Sequence, residues 1–373
     1  MAYARTLARL IPERLRFGAV HPTGLYGRLP LRAVEEFLNR TEERWETIGG
    51  AEHATQSRRI AAAQCWLLRP RPIPAGSSPR VVLQVSPHHL QHPSVVAGKL
   101  RRERAKFVCM VHDLIPISYP EYARPNGPDL HRRRLRSVER FADGILTNSQ
   151  ATLDALLASP EIDLGGRPTR VARFGVDRRA VMKGAFGPLQ RDYFVCLSTI
   201  EPRKNHLLLL HIWRSMVEAL GADRVPLLYL VGRRGWENEN ILDLLDRCPG
   251  LRDCVRELPR LPDAQLRELI SRARALLMPS FAEGFGMPVA EALVAGVPVL
   301  ASDIPAHREA GGMVPDYIDP VDGAAWRHLI LDYCAPASAR RAAQQARMKS
   351  WTPISWDSHV AAALSLVEEM IAC

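Results

Sequence analysis

From Arg80 onward, short apolar runs rich in β-branched and aromatic residues alternate with stretches whose apolar positions recur every three or four residues. Val81 to Val85, Lys106 to Val111, Gly144 to Thr147 and Thr169 to Phe174 read as strands of this kind. A second series follows: Tyr193 to Ser198, Pro226 to Val231, Val255 to Leu258, Ala275 to Met278 and Val297 to Ala301. Helical patterns such as Asn205 to Ala219 and Asp263 to Ala273 separate its strands. Strands that are apolar along their whole length, spaced by helices, predict parallel sheets covered on both faces. The stretch from Asp177 to Arg191 has Gly184, Gly187 and Pro188 but no apolar period, and so marks a boundary.

A chain of 373 residues exceeds what one core usually organises. The expected fold class is therefore α/β, with a Rossmann-like domain over 1–180 and another over 190–350. In such sheets ligands bind beyond the carboxyl ends of the strands. The loops after the strands are where candidate chemistry belongs.

Composition narrows the function classes. With 47% hydrophobic and 24% charged residues the chain is globular. Its formal charge of +10 is uneven: 29 Lys and Arg stand against 17 Asp and Glu in residues 1–180, and 21 against 23 thereafter. A basic first half suits an anionic headgroup, a phosphorylated substrate or nucleic acid, and equally a solubilising face. No recognition motif or aromatic-basic platform supports nucleic acid. No apolar run is long enough to span a membrane, and Arg5, Arg9, Arg14 and Arg16 interrupt any signal-peptide core, which predicts a cytoplasmic protein. The seven cysteines form no Cys-x-x-Cys pair and read as reduced, several of them in the core.

After the strand ending at Ser198 comes Glu201-Pro202-Arg203-Lys204-Asn205, with Asn205 a candidate N-cap. Arg203 and Lys204 can hold phosphate oxygens, the first with a planar fork and the second as a point charge. After the strand ending at Met278 comes Glu283-Gly284-Phe285-Gly286-Met287-Pro288-Val289-Ala290-Glu291. Pro288 suits a first helical turn and Gly296 its exit, giving a helix from about Pro288 to Ala295. Gly284 and Gly286 let backbone N–H groups approach an anion at the helix start. Glu291 is placed in or just after the first turn, where complementarity to the helix dipole would explain it without a ligand. That explanation leaves Glu283 and the glycines unaccounted for. Two ionised carboxylates are acceptor-only groups suited to sugar or ribose hydroxyls.

This pattern resembles the signature of family-4 retaining glycosyltransferases, the group 1 glycosyl transferases, whose fold is GT-B: two Rossmann-like doubly wound domains facing a cleft. The resemblance extends to Leu230-Val231-Gly232-Arg233-Arg234-Gly235-Trp236 and to Ser302-Asp303-Ile304-Pro305, and covers the whole second domain. It implies a nucleoside-diphosphate sugar donor, GDP-mannose or a UDP-hexose, with no further cofactor and no metal ion. It places the diphosphate on Arg203 and Lys204, with Gly232 beside it. It gives the ribose to Glu291, donor-sugar hydroxyls to Glu283, backbone contacts to Phe285, Gly286 and Met287, and the base to Arg260 and Leu261. It also implies a C-terminal helix in 351–373 crossing back to the first domain. The absence of any Asp-x-Asp agrees with leaving-group charge being met by Arg203, Lys204 and a helix start.

In the first half, His112 follows a strand, and the resemblance makes it a donor-sugar contact with a catalytic part beside Glu283; a lone His is otherwise a satisfied structural residue. Asp113 can cap the next turn. His88, in a cluster with His89 and His92, and Asn148 are acceptor-side or loop candidates; as a zinc site the cluster lacks a fourth ligand. Family members usually open with a strand and a glycine-rich turn, whereas this chain opens on a helical pattern from Met1 to Leu10. The next candidate strand is Leu15 to His21, and Gly24, in Thr23-Gly24-Leu25-Tyr26-Gly27, belongs to a possible substitute turn. Loss of the opening strand is the favoured explanation. The function expected is retaining transfer of a mannose- or glucose-type hexosyl unit to a saccharide or lipid-diphosphate-linked acceptor in exopolysaccharide or lipopolysaccharide synthesis. Peripheral contact with an anionic membrane follows from the basic half. The rivals are a non-catalytic binder of nucleotide sugar and a sugar-nucleotide epimerase or phosphorylase of the same fold.

Overall fold

The computed structural model describes residues 1–20, 26–47, 73, 79–177, 184, 186 and 191–372. Gly24 and much of the expected boundary stretch lie outside them. Two compact units emerge: residues Met1–Gly175 with Ile354–Cys373, and residues Val176–Pro353.

The first unit opens with helix α1 (Ala2–Leu10), strands β1 (Phe17–Val20) and β2 (Tyr26–Leu29), and helix α2 (Leu31–Thr47). It continues with β3 (Val81–Gln84), α3 (Pro93–Glu103), β4 (Lys106–Val111), α4 (Ile115–Ser118), α5 (Gly127–Phe141), β5 (Gly144–Thr147), α6 (Gln150–Ala158) and β6 (Thr169–Val171). The expected strand Leu15 to His21 is one arm of an antiparallel hairpin with β2 and stays outside the parallel sheet. Tyr26 and Arg28 both donate to the buried Glu103 carboxylate, which ties the hairpin to α3. The sheet proper runs β3-β4-β5-β6, all parallel. Side chains alternate between the faces of β4: Phe107, Cys109 and Val111 enter a core with Val96, Leu135, Val138 and Leu156, while Val108 and Met110 enter another. Both faces are buried, hence the uninterrupted apolar run. The expected strand to Phe174 stops at Val171.

The second unit comprises β7 (Tyr193–Leu197), α7 (His206–Leu220), β8 (Leu227–Val231), α8 (Glu239–Arg247), β9 (Val255–Leu258), α9 (Asp263–Ser271), β10 (Leu276–Met278), α10 (Met287–Val294), β11 (Val299–Ser302), α11 (Pro305–Gly311), β12 (Asp316–Ile318), α12 (Gly323–Cys334) and α13 (Ala339–Met348). The chain then returns to the first unit as α14 (Trp356–Ala372), where Ala363, Leu366 and Met370 pack on Val108, Met110 and Leu146. No helix among the described residues is long and apolar enough to cross a membrane.

The second sheet has the order β12-β11-β10-β7-β8-β9, with every pairing parallel. From β7 the chain builds outward through β8 and β9, then crosses to the other side of β7 and builds outward again. The direction reverses between β7 and β10. In open sheets of this kind, loops leaving the carboxyl ends of two such neighbours diverge to opposite faces, and ligands bind at the switch point. Phe194, Cys196, Leu228, Leu230, Leu277 and Leu300 lock the sheet onto Trp213 of α7 and Trp326 of α12. Gly232, just beyond β8, has φ +151°, and a Cβ there would lie 1.9 Å from the Ser198 carbonyl oxygen. Its bare backbone is what lets the β7 and β8 loops touch.

Candidate functional site

The two loops at the switch point carry the charged residues. The loop after β7 forms a 3-10 turn, Pro202–Lys204, and the loop after β10 runs from Pro279 to Gly286. The Phe281 N–H donates to the Arg203 carbonyl at 2.9 Å, joining the loops through their backbones. Asn205 sits at the N-cap position of α7 with φ 56° but caps nothing: its side-chain amide donates to the carbonyls of Pro279 and Pro320, at 3.2 and 2.9 Å. The expected cap is instead a clasp between strand-end loops.

Arg203 donates from one nitrogen to Glu283 (2.8 Å) and to the Ala282 carbonyl (2.7 Å), and from another to Glu201 (2.7 Å). Lys204 donates to the second Glu283 oxygen, which also accepts from Ser280 at 2.8 Å. The side chains are 18% exposed for Arg203, 12% for Lys204, 9% for Glu283 and 2% for Glu201, so this is a nearly dry four-charge cluster. Burial pushes the Glu283 carboxyl up, but Lys204, then Arg203, then His307 outweigh it and hold the carboxyl at about 2. Each cation is matched by a carboxylate, and the charges cancel.

Beyond Glu283 the turn narrows to Gly286, the N-cap residue of α10, with φ +92°. A Cβ at Gly286 would lie 2.9 Å from Cδ2 of His307. Phe285 is buried, which leaves its backbone rather than its ring to serve a ligand. Met287 and Pro288 form the first turn of α10, and Glu291 lies one turn further on, so helix-dipole complementarity explains it less well than expected. Glu291 is exposed, yet desolvation first and the Asp263 carboxylate second raise its carboxyl above the usual range. Its carboxylate is flanked by protein and still reaches solvent. Arg260 and Leu261 lie in the loop after β9, Arg260 exposed and Leu261 half-buried. Gly232 is accounted for by the Ser198 carbonyl that occupies its side-chain space.

In the first unit, the loops after β3, β4 and β5 carry His88, His112 and Asn148. His112 Nε2 donates to the Val85 carbonyl at 2.7 Å, so a neutral ring offers Nδ1 as an acceptor and has no free Nε2 donor for a sugar hydroxyl. Its carbonyl accepts from Thr152 Oγ1 at 3.1 Å. Asp113 caps the following turn by accepting from the Ile115 N–H. Asn148 is buried beside Ser149, whose hydroxyl caps α6, and His88 is exposed.

Sequence reasoning passed over Glu201 and Ser280 as members of the cluster, and His307. Glu201 stands in the quoted motif, and only its burial shows that it is a counter-ion. His307 lies two residues past Pro305, and nothing in the linear pattern sets it against Gly286.

Residues 178–313 match the family model for glycosyl transferases group 1. The chain is 34% identical over 167 residues to O-antigen chain mannosyltransferase B of Escherichia coli, covering 43% of this chain and 43% of that protein. It is 36% identical over 229 residues to the serotype-specific mannosyltransferase WbdA of Escherichia coli, covering 56% of this chain and 27% of that one. The matches thus span less than half the length of these relatives. Among solved structures, sucrose-phosphate synthase from Thermosynechococcus elongatus aligns with a TM-score of 0.60 at 17% identity, over 89% of this chain and 80% of that one. HepE of Anabaena, in complex with UDP and glucose, aligns with a TM-score of 0.58 at 19% identity, over 78% of each chain. At such identities the likeness is one of fold. The second unit is thus similar to group 1 glycosyl transferases, and the fold of the chain is of the GT-B class.

The charge cluster sets an acid limit on stability. Because the Glu283 carboxyl is lowered from 4.5 to about 2, its contribution is fully present above pH 4.5 and is lost as pH falls through about 2. Glu283→Gln leaves two buried cations short of a counter-ion and is expected to cost about 3 kcal/mol at neutral pH. Urea unfolding of both proteins, repeated at falling pH, should show the gap closing in acid. Equal stability throughout would mean that Glu283 is not paired.

Proposed function

We propose that this protein transfers a mannose- or glucose-type hexosyl unit from a nucleoside-diphosphate sugar, GDP-mannose or a UDP-hexose, to a hydroxyl of a saccharide or lipid-linked saccharide. The reaction retains anomeric configuration and uses no metal ion or further cofactor. The observation that carries this reading is the placement of Arg203, Lys204 and the Gly286 turn at the point where the second sheet reverses its strand order. The resemblance to O-antigen and serotype-specific mannosyltransferases supports mannose and surface polysaccharide synthesis.

In the proposed reaction the bond from the sugar's anomeric carbon to the diphosphate breaks and a bond to the acceptor oxygen forms on the same face. The acceptor's proton passes to the leaving diphosphate. Arg203 and Lys204 turn from Glu283 to the diphosphate and stabilise the charge that develops on it, helped by the N–H groups at the start of α10. Glu283, released from its cations, accepts from sugar hydroxyls. Glu291 accepts from the ribose, and Arg260 and Leu261 border the base. In the first unit, Nδ1 of His112 is the ring's acceptor, and His88 and Asn148 are the acceptor-side candidates.

Thermal unfolding of the whole chain with UDP, GDP, UDP-glucose and GDP-mannose tests the donor site. A nucleotide at a hundred times its Kd should add about 2.7 kcal/mol of stability. Lys204→Ala and Glu291→Ala should abolish the shift, and an undiminished shift in both would remove the site. Transfer of labelled hexose to a saccharide acceptor tests the activity; binding without turnover would leave a nucleotide-sugar binder, and donor consumed without acceptor would leave an epimerase.

The acceptor's setting is part of the proposal. Arg101, Arg102, Arg104, Arg133, Arg136 and Arg140 are exposed on and beside α3 and α5, a basic surface suited to anionic lipid. Co-sedimentation with phosphatidylglycerol vesicles should rise as salt is lowered. Recovery independent of salt would contradict it.

A further inference from the structure

His307 is fully buried on α11, behind the glycine turn of the proposed site. Its Nδ1 lies 3.0 Å from the Ser302 carbonyl oxygen, which can only accept, so Nδ1 carries the proton. Desolvation, partly offset by Glu283, keeps the ring below its ordinary pKa and therefore neutral at pH 7. Nε2 then presents a lone pair. It is buried and has no hydrogen-bond partner, and the Ser302 hydroxyl close by in sequence is in the same condition. An unmet buried acceptor is destabilising and calls for an explanation.

Its surroundings suggest one. The ring lies against Gly286, where a Cβ would come within 2.9 Å of Cδ2 and 3.7 Å of Nε2, so only a glycine lets the turn pack on this edge of the imidazole. Glu283, Lys204 and Arg203 are near enough to act on the ring electrostatically. Both cations are held by Glu283. What the site lacks is a neutral donor such as a hydroxyl.

We propose that His307 is a specificity-determining residue of the donor site, and that its Nε2 accepts a hydrogen bond from a hydroxyl of the transferred sugar when the nucleotide sugar occupies the glycine turn. The inference rests on the proposed donor-binding role of this turn. Gly286 and His307 then act as a pair: the glycine lets the turn lie on the ring, and the imidazole reads the hydroxyl brought to that turn.

The test is calorimetric titration of the whole chain with UDP, GDP, UDP-glucose and GDP-mannose. The increment in affinity that the sugar adds to its own nucleotide is compared in the unsubstituted protein, His307→Asn and His307→Gln. Asn can keep the bond to the Ser302 carbonyl but has no atom in the place of Nε2, whereas the Gln amide oxygen can reach that place. Nucleotide affinity should be unchanged in both variants. The sugar increment should fall about tenfold in His307→Asn, as for one lost hydrogen bond of about 1.4 kcal/mol, and return in part in His307→Gln. If the unsubstituted protein binds neither nucleotide, the donor-site reading itself fails. If it binds nucleotide but gains nothing from the sugar, or if His307→Asn keeps the full increment, the role given to His307 fails. Should the variants not fold, the Nε2 nitrogen resonance of His307 in the unsubstituted protein decides. It must shift with the nucleotide sugar and not with the nucleotide, and an equal response to both overturns the proposal.

Discussion

The second unit depends on the ion cluster that joins the ends of β7 and β10. Parallel strands that are neighbours in the sheet but distant in sequence share only ladder hydrogen bonds, and β7 and β10 meet at a single registered pair, Val195 with Leu276. Beyond it their loops must part, because the following helices cover opposite faces. Glu201, Arg203, Lys204 and Glu283 close that gap with charge-assisted bonds. Ion pairs so nearly buried are poor sources of net stability, since desolvation offsets most of the attraction. Their worth lies in direction: they hold two loops at one separation and keep two cations where an anion can reach them.

The same arrangement fits a neutral cluster to the anionic ligand of the proposed reaction. A strongly acidic Glu283 stays charged, so both cations remain in place and already desolvated when nothing is bound. In the proposed donor site a diphosphate exchanges for a carboxylate instead of drawing a lysine and an arginine out of water. Preorganisation of this kind lowers the reorganisation needed as leaving-group charge develops. Gly286 and the start of α10 add backbone donors, and His307 behind them adds an acceptor of neutral character.

Much of the fold was legible in the sequence because covering both faces of a parallel sheet forces an apolar run, and the strands Lys106–Val111, Gly144–Thr147 and Val255–Leu258 stand where the runs predict. The β12 strand was missed because three residues, Asp316, Tyr317 and Ile318, carry no such pattern at a sheet edge. Strand order is invisible to periodicity, and with it the switch point. For the site, Arg203, Lys204 and Glu283 were legible as charges after strands, but their mutual neutralisation was not, since it depends on loops 79 and 80 residues apart in sequence. Asn205 shows the same limit: its residue type suits a cap, and tertiary contacts used its amide elsewhere. His307 was out of reach because its place against the turn arises from a glycine's missing side chain.

The central claim is that a ligand phosphate replaces Glu283 as the partner of Arg203 and Lys204. The carboxyl carbon resonance of Glu283, followed by NMR as pH is lowered with and without saturating UDP or GDP, tests it most directly. The account predicts a carboxylate that stays ionised in the free protein down to the onset of acid unfolding, and a titration midpoint that rises once the nucleotide is bound. A free-protein midpoint near 4.5, or a midpoint that bound nucleotide leaves unmoved, would contradict it.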